Sequence, residues 1–344
     1  SGATTLNFTV TVTPAAADGG VSFDIATANG TATAPADYTT RSLTAQTIAA
    51  GQSSAIFAVT VNGETLVELN ETVLVNLSNV SGAVIGDGQG IGTITNDDSA
   101  VVAFNPVGVS QTEATSPMAF TVTLSNPVQS GVTLTLNSAT GTATAADYTP
   151  ISGATVSFPA SSAASQTVNV VIANDALDED DETFTLTLSG LTATGNVTLG
   201  TAVATGTILD DDATPTLSIT SPSQNEGNAG PSTMNFVVSL SAVSGRNVSF
   251  TRATADGTAT VANNDYVAIA SGSLSIPAGQ TSVTIPVTIN GDTVFEGNET
   301  FSVNLTGITN ATPGTLTGTG TIVEDDQQPT TTTITSDLPD PSVV

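Results

Sequence analysis

Carboxylates are the side chains of this chain whose type and spacing could do chemistry, and they recur in a fixed order. An Asp precedes a Tyr at Asp37-Tyr38, Asp147-Tyr148 and Asp265-Tyr266. Three acids spaced i, i+4, i+7 then lead into an alternating run: Glu64, Glu68 and Glu71; Asp175, Glu179 and Glu182; Asp292, Glu296 and Glu299. Each copy closes with Gly-Thr-Ile followed by a knot of acids. The knots hold Asp97 and Asp98 after Gly92, Asp210, Asp211 and Asp212 after Gly206, and Glu324, Asp325 and Asp326 after Gly320. A further acid stands early in the second and third copies, at Glu113 and Glu226. With Asp178, Asp180 and Asp181, these positions take up most of the 31 acids, while Asp18, Asp24, Asp87, Asp256, Asp337 and Asp340 are scattered.

Carboxylates packed into one site repel each other, and the protonated form gains unless something neutralises them. Arg41, Arg246 and Arg252 are the only basic side chains in a chain of net charge -28, so the protein cannot supply that counter-charge. A hard divalent cation can. Ca²⁺ takes about six to eight oxygen ligands in irregular geometry, which suits acids drawn from separate loops, whereas Mg²⁺ demands a small octahedron and keeps water. Solvated surface charge explains one acidic run but not three with the same spacing. The run from Asp175 through Asp178, Glu179, Asp180 and Asp181 to Glu182 also lacks the alternating ligands and central Gly of an EF-hand loop. A glycosidase pair of carboxylates is disfavoured because aromatics make up 4% of the chain and Trp is absent, leaving no sugar platform.

The remaining composition excludes much other chemistry. Without Cys or His there are no disulfides, thiol nucleophiles, histidine bases or ordinary zinc sites. The net negative charge removes the phosphate-neutralising contribution that drives nucleic-acid binding, and anionic membranes repel such a chain. No apolar stretch approaches the roughly 20 residues needed to cross a bilayer. No enzyme is expected. Apolar residues at 39% nonetheless separate the chain from acidic disordered sequences. Neither an initiator Met nor a signal-peptide apolar region opens the chain, so Ser1 reads as a processed or cut end.

The elements that would position the acids are strands. Phe8-Thr9-Val10-Thr11-Val12, Val132-Thr133-Leu134-Thr135-Leu136 and Val283-Thr284-Ile285-Pro286-Val287 alternate with period two, and Gly, Asn and Pro punctuate them. No apolar stripe at helical spacing is present. The repeat predicts an all-β chain of three tandem immunoglobulin-like Greek-key sandwiches in an elongated rod, with about seven strands each. Module one spans 1–98, module two 99–212, module three 213–326, and a tail 327–344. Loops of a sandwich gather at its ends, so acids far apart in sequence are expected to converge at one pole of each module.

The Asp-Tyr element, the acidic loop running into Thr-Phe or Thr-Val, and the closing Gly-Thr-Ile-x-acid-Asp-Asp together resemble Calx-beta domains, the calcium-binding sandwiches of exchanger regulatory regions and bacterial surface proteins. The resemblance implies calcium at one pole, bound by the early acid, the Asp of Asp-Tyr, the acidic loop and the knot. Module three carries the full set (Glu226, Asp265, Asp292, Glu296, Glu299, Glu324, Asp325, Asp326), and module two matches through Glu113, Asp147, Asp175, Glu179, Glu182, Asp210, Asp211 and Asp212. Module one, with Asp37, Glu64, Glu68, Glu71, Asp97 and Asp98, departs from the pattern. Asn96 stands in place of an acid, Glu64 in place of Asp, and no early Glu exists, so fewer or weaker ions are expected there.

Modules two and three open with Ala100-Val101-Val102-Ala103-Phe104 and Thr216-Leu217-Ser218-Ile219-Thr220, a strand that module one lacks. After the last knot, Pro329-Thr330-Thr331-Thr332-Thr333-Ile334-Thr335-Ser336 resembles that same strand. An open sheet edge and a spare strand are complementary. The expectation is an extracellular or cell-surface, calcium-stabilised structural or adhesive protein. It would be a filament subunit polymerising head to tail as residues 330–344 complete module one of the next copy, with Asp340 near the place of the absent early Glu. A cell-surface or matrix ligand is a further partner class, and neither nucleic acid nor membrane insertion is expected. The alternatives are a non-polymerising piece of a longer Calx-beta adhesin and a calcium-sensing regulatory module, which would need a coupled membrane domain. Asn-x-Thr sequons at Asn70, Asn298 and Asn304 are compatible with secretion.

Overall fold

The computed structural model of the protein describes residues 2–334, and among them the regular elements are all strands. The chain forms two compact units, Ser1–Asn174 with Glu182–Ile208, and Asp175–Asp181 with Leu209–Val344. Loop 175–181 groups with the residues that follow because Asp178, 1% exposed, pairs with Ser244 and Arg246.

The first unit holds two sandwiches. In the earlier one, Thr4–Thr11 pairs antiparallel with Ser54–Val61 as a two-stranded sheet. It faces a four-stranded sheet in the order Ser42–Ile48, Val21–Asn29, Glu71–Ser81, Gln89–Ile94. In the later one, the sheet Gln166–Val170, Met118–Leu124, Ala100–Phe104, Val197–Leu199 faces five strands ordered Ala154–Phe158, Val132–Thr140, Glu182–Ala193, Val203–Leu209, Gly108–Thr112. The second unit holds the sheet Ser282–Gly291, Gly230–Leu240, Thr216–Ile219, Thr312–Pro313. Facing it is the sheet Ser223–Asn225, Thr317–Val323, Glu299–Thr309, Val248–Asp256, Gly272–Ile276.

Alternation produces these layers. Along Met118–Leu124 every second residue is buried, so Met118, Phe120, Val122 and Leu124 face the core. Met234, Phe236, Val238 and Leu240 do the same in module three. The glycine of each Gly-Thr-Ile admits a neighbouring ring: a Cβ on Gly206 would lie 2.4 Å from Phe184, and one on Gly320 2.7 Å from Phe301.

Module one repeats the pattern but not the burial. Leu6, Phe8, Val10 and Val12 occupy the equivalent positions and are only half-buried. In the sister modules, Ala100–Phe104 and Thr216–Ile219 lie beside this strand, with Val102, Phe104, Leu217 and Ile219 buried. Those first strands also pair in parallel with Val197–Leu199 and Thr312–Pro313. In module one neither partner is formed, and the corresponding segment leaves Val84 96% and Ile85 45% exposed. What remains is a groove of about 810 Å³ walled by Phe8, Val10, Phe23, Ile25, Val75 and Leu77. Residues 329–334 carry no strand and Ile334 is 90% exposed; the rest of the tail, Asp340 included, lies outside the described residues.

Candidate metal centres

Each Asp-Tyr element joins a fixed carboxylate to a buried anchor. Tyr38, Tyr148 and Tyr266 are at most 2% exposed and bridge Val61, Ile172 and Ile289. Tyr148 stacks on Phe184 and Tyr266 on Phe301, both with ring centroids 4.4 Å apart. The Tyr266 hydroxyl donates to Asp256 at 2.6 Å, and burial with that carboxylate raises its pKa to about 12. The neighbouring Asp is fixed through one oxygen. Oδ2 of Asp37, Asp147 and Asp265 accepts the backbone N–H of Thr33, Thr144 and Thr260 respectively, each at 2.6 Å. Such charge-assisted bonds orient the carboxylate before any ion arrives.

In module one, Asp37, Glu64 and Glu68 each bring one carboxylate oxygen within 4.8 Å of the others. They line a cavity of about 340 Å³ together with Glu71, Asp97 and Asp98. Burial, followed by the charges of Glu64, Glu71 and Asp37, raises Glu68 to about 7. Glu64 and Glu71 are raised as well, first by burial and then chiefly by Asp37.

Module three carries two such groups. Asp265, Glu296 and Glu299 form one and Glu226, Glu324 and Asp326 the other, each with donor oxygens within 4.8 Å. Burial, then the charges of Asp292, Glu324, Glu296 and Asp326, lifts Glu226 to about 7. Glu299 reaches about 7 through burial and Asp265. Glu324 is instead lowered, because its carboxylate accepts the N–H groups of Glu296 at 2.5 Å, Gly297 at 3.0 Å and Asp326 at 2.7 Å. Asp292 accepts the Val294 N–H at 2.7 Å and bears on Glu226 through charge. Asp325 points elsewhere: its oxygens take the Gly227 N–H at 3.0 Å and the Asn225 amide at 3.4 Å, fastening the early-Glu loop to the knot.

Three recurrent matches settle what these sandwiches are: the sequence matches the Calx-beta domain over residues 1–90, 95–212 and 216–327. The chain belongs to the Calx-beta family. No curated protein matches it significantly. Among solved structures, the crystal structure of CBD12 from CALX1.2 is 18% identical, covering 64% of this chain and 99% of that one, with a TM-score of 0.32. The calcium-binding domain CBD12 of CALX1.1 is 19% identical over 60% of this chain and 79% of that one, with a TM-score of 0.31. The apo form of the Calx CBD1 domain is 24% identical over 33% of this chain and 98% of that one, also with a TM-score of 0.31.

Calx-beta domains are calcium-binding modules, and the donor set here is tested against that ion on its own chemistry. All the clustered donors are carboxylates. Oδ2 of Asp326, Oδ1 of Asp210 and Oδ2 of Asp212 are buried without a hydrogen-bond partner, a costly arrangement unless a cation faces them. An oxygen-only, multiply charged, irregular set fits Ca²⁺.

In the second Calx-beta module, Glu113, Asp147 and Glu182 belong to the first unit, and Asp175, Glu179, Asp210, Asp211 and Asp212 to the second. Asp175 accepts the Leu177 N–H at 2.8 Å, and burial raises Asp210. Asp178 and Asp180 do another job, since both carboxylates receive the Arg246 guanidinium. The middle acid of every knot, Asp97, Asp211 or Asp325, is exposed, while Asp98, Asp212 and Asp326 are half-buried.

The residue before the third loop acid is a positioning residue in every module. The side-chain oxygens of Asn70, Asp181 and Asn298 accept the N–H of Asn96, Asp210 and Glu324 at 3.1, 3.2 and 3.0 Å, tying each acidic loop to its knot. The signal was available, because the residue before the third loop acid is Asn or Asp in every module.

Proposed function

We propose that this chain is an extracellular, calcium-stabilised structural or adhesive protein whose copies join head to tail. The segment after Gln328 of one copy enters the open groove of module one in the next. The observation that carries this reading is the groove itself. Its walls are the same residue types that are fully covered by a strand in the sister modules, and a tail resembling that strand is carried on the same chain. Adding an extended strand to an exposed edge supplies main-chain hydrogen bonds and seats alternate side chains in the core. A head-to-tail contact that does not close on itself yields a filament.

Calcium at the module poles would neutralise the acidic clusters, and millimolar calcium outside cells saturates even modest sites. The carboxylates then serve as ligands, and a chain without His or Cys offers no imidazole base or thiol nucleophile beside them. Nucleic acid and membrane insertion have no part in this reading. A cell-surface or matrix ligand is the outside partner it admits.

Removing residues after Gln328 tests the proposal by electron microscopy and light scattering in millimolar calcium. Loss of filaments is the expected result, with the free peptide 329–344 binding the shortened chain one to one without restoring them. Filaments of unchanged length after the deletion would overturn it and leave a segment from elsewhere as the groove's occupant.

A further inference from the structure

The acidic loops of modules one and two each carry a docking residue one position before the middle Glu. In module one this is Val67, and it forms a parallel β-bridge with Val128, in the loop between the strands Met118–Leu124 and Val132–Thr140 of module two. Both side chains are 0% exposed, and Val67 belongs to the hydrophobic core cluster of module two. The Val67 N–H donates to the Pro127 carbonyl and the Gln129 N–H to the Val67 carbonyl, each at 2.9 Å. In module two the equivalent residue is Asp178, which bridges Ser244 in the same parallel sense, with both 1% exposed. There the Gly245 N–H donates to the Asp178 carbonyl at 3.1 Å.

In module three the same position is Phe295. It is 39% exposed, beside Val294 at 57%, and Glu296 next to it is exposed where Glu68 and Glu179 are half-buried. A large aromatic therefore stands uncovered at the place where two other modules bury their docking residue.

The acceptor loop also has a third copy. Val128 and Ser244 are marked by a common hydrogen bond: their carbonyls accept the N–H of Ser161 at 2.8 Å and of Gly279 at 2.9 Å. In module one the Gly51 N–H makes that bond to Ala16 at 2.8 Å. Ala16 is thus the module-one counterpart of Val128 and Ser244. Two valines meet at one junction; Phe295 against Ala16 pairs large with small and fills comparable space.

We propose that Phe295 docks on the loop around Ala16 of a second copy. The contact rebuilds between chains the bridge that Val67 and Val128 make within one. By analogy with that bridge, the Phe295 N–H would donate to the Ala15 carbonyl of the second copy, whose Ala17 N–H would donate to the Phe295 carbonyl. The occupant is a copy of this chain because the contact continues an interface the chain already uses twice, at Val67 with Val128 and at Asp178 with Ser244. Asp18 of the second copy stands where module three has Arg246 and module two has Ser130, so this junction adds a negative charge at the acidic pole, which calcium would offset. The inference rests on the head-to-tail reading; Ala15, Ala16 and Ala17 line one part of the groove, whereas Phe295 lies outside both the groove and the donated segment.

Because the chain has no Cys, pairing can be read covalently. β-Bridge partners lie within disulfide reach. The full chain carrying Phe295→Cys and Ala16→Cys, oxidised in millimolar calcium, is expected to give a ladder of crosslinked multimers that EDTA abolishes. Val67→Cys with Val128→Cys gives an intramolecular crosslink as the positive control. Phe295→Asp, which lies on an exposed loop, should raise the concentration for assembly about tenfold, as loss of a central aromatic anchor does. Filaments in calcium without a ladder, and without an effect of Phe295→Asp, would overturn the docking and leave strand donation standing. A chain that stays monomeric in calcium would overturn both.

Discussion

Module one and module three are built from the same landmarks and differ by the opening strand, and that difference separates two jobs the strand performs. In module three its first half, Thr216–Ile219, buries Leu217 and Ile219 in the core, and its second half, Ser223–Asn225, pairs in parallel with the closing strand and delivers Glu226 to the pole. Module one has neither half. It therefore keeps an open apolar groove at its side and one carboxylate group at its pole where module three has two. Core completion and metal capacity are carried by one contiguous segment, so a strand donated from outside would restore the first and could bring an acid toward the second.

Calcium removal should break the two modules apart most strongly. A ligand that binds only the folded state stabilises by about 2.7 kcal/mol per site at a hundredfold excess over its dissociation constant. With two groups in module three and one in module one, calcium is expected to slow amide exchange in Glu299–Thr309 by about the square of the factor seen in Glu71–Ser81. Hydrogen exchange with and without EDTA reads both strands in one sample. Equal protection factors would show that the second group of module three holds no ion.

Acidity gives the next largest contrast. Glu68 in module one, and Glu226 and Glu299 in module three, are raised to about 7. A raised carboxyl binds its proton more tightly in the folded state than in the unfolded one. Metal-free stability should therefore fall as pH rises from about 4.5 to about 7 and level off above. Two such groups make the fall steeper in module three. In saturating calcium the ion takes the proton's place, and stability should hold or rise over the same window. Melting temperatures of the metal-free protein that climb between pH 5 and 7 would contradict the assignment of these groups as a repelling cluster.

Much of this was legible in the sequence because the repeat held spacing fixed where function needed it. The Asp-Tyr pair, the i, i+4, i+7 loop and the knot stand at strand ends, and the alternation of Val283 to Val287 or Phe8 to Val12 is enough to assign the strands between them. The missing strand was visible as an offset. What the pattern hid was the division of labour among like residues. Asp178 reads as one more acid, yet it lies buried against Arg246, a partner 68 residues away. Asp325 reads as a ligand, yet it fastens a backbone loop. Asn70 and Asn298 read as turn residues or sequons, and their side chains hold the knot in register. Charge and spacing reveal that a site exists; which oxygen faces inward depends on the fold around it.

The smallest predicted effect tests the residue by which the two poles differ most directly. Asn96 and Glu324 occupy one position and share two bonds, although Asn96 Nδ2 also donates to the Asp98 carbonyl at 3.0 Å and Glu324 also accepts the Gly297 N–H at 3.0 Å. Asn96 Oδ1 accepts the N–H of Glu68 at 3.5 Å and of Asp98 at 3.4 Å, while Glu324 takes those of Glu296 and Asp326 at 2.5 and 2.7 Å. The amide is a neutral, slacker version of the carboxylate. Asn96→Glu should therefore act with opposite signs in the two metal states. Without calcium it adds a charge beside Glu64, Glu68 and Asp98 and lowers the melting temperature of module one. With calcium it tightens two charge-assisted bonds and offers another ligand, strengthening binding several-fold, or about 1 kcal/mol. Calorimetric titration together with melts in EDTA measures both. A change of the same sign in both conditions would mean that position 96 shapes the loop without sensing the ion, and the difference between the poles would then lie in the missing strand alone.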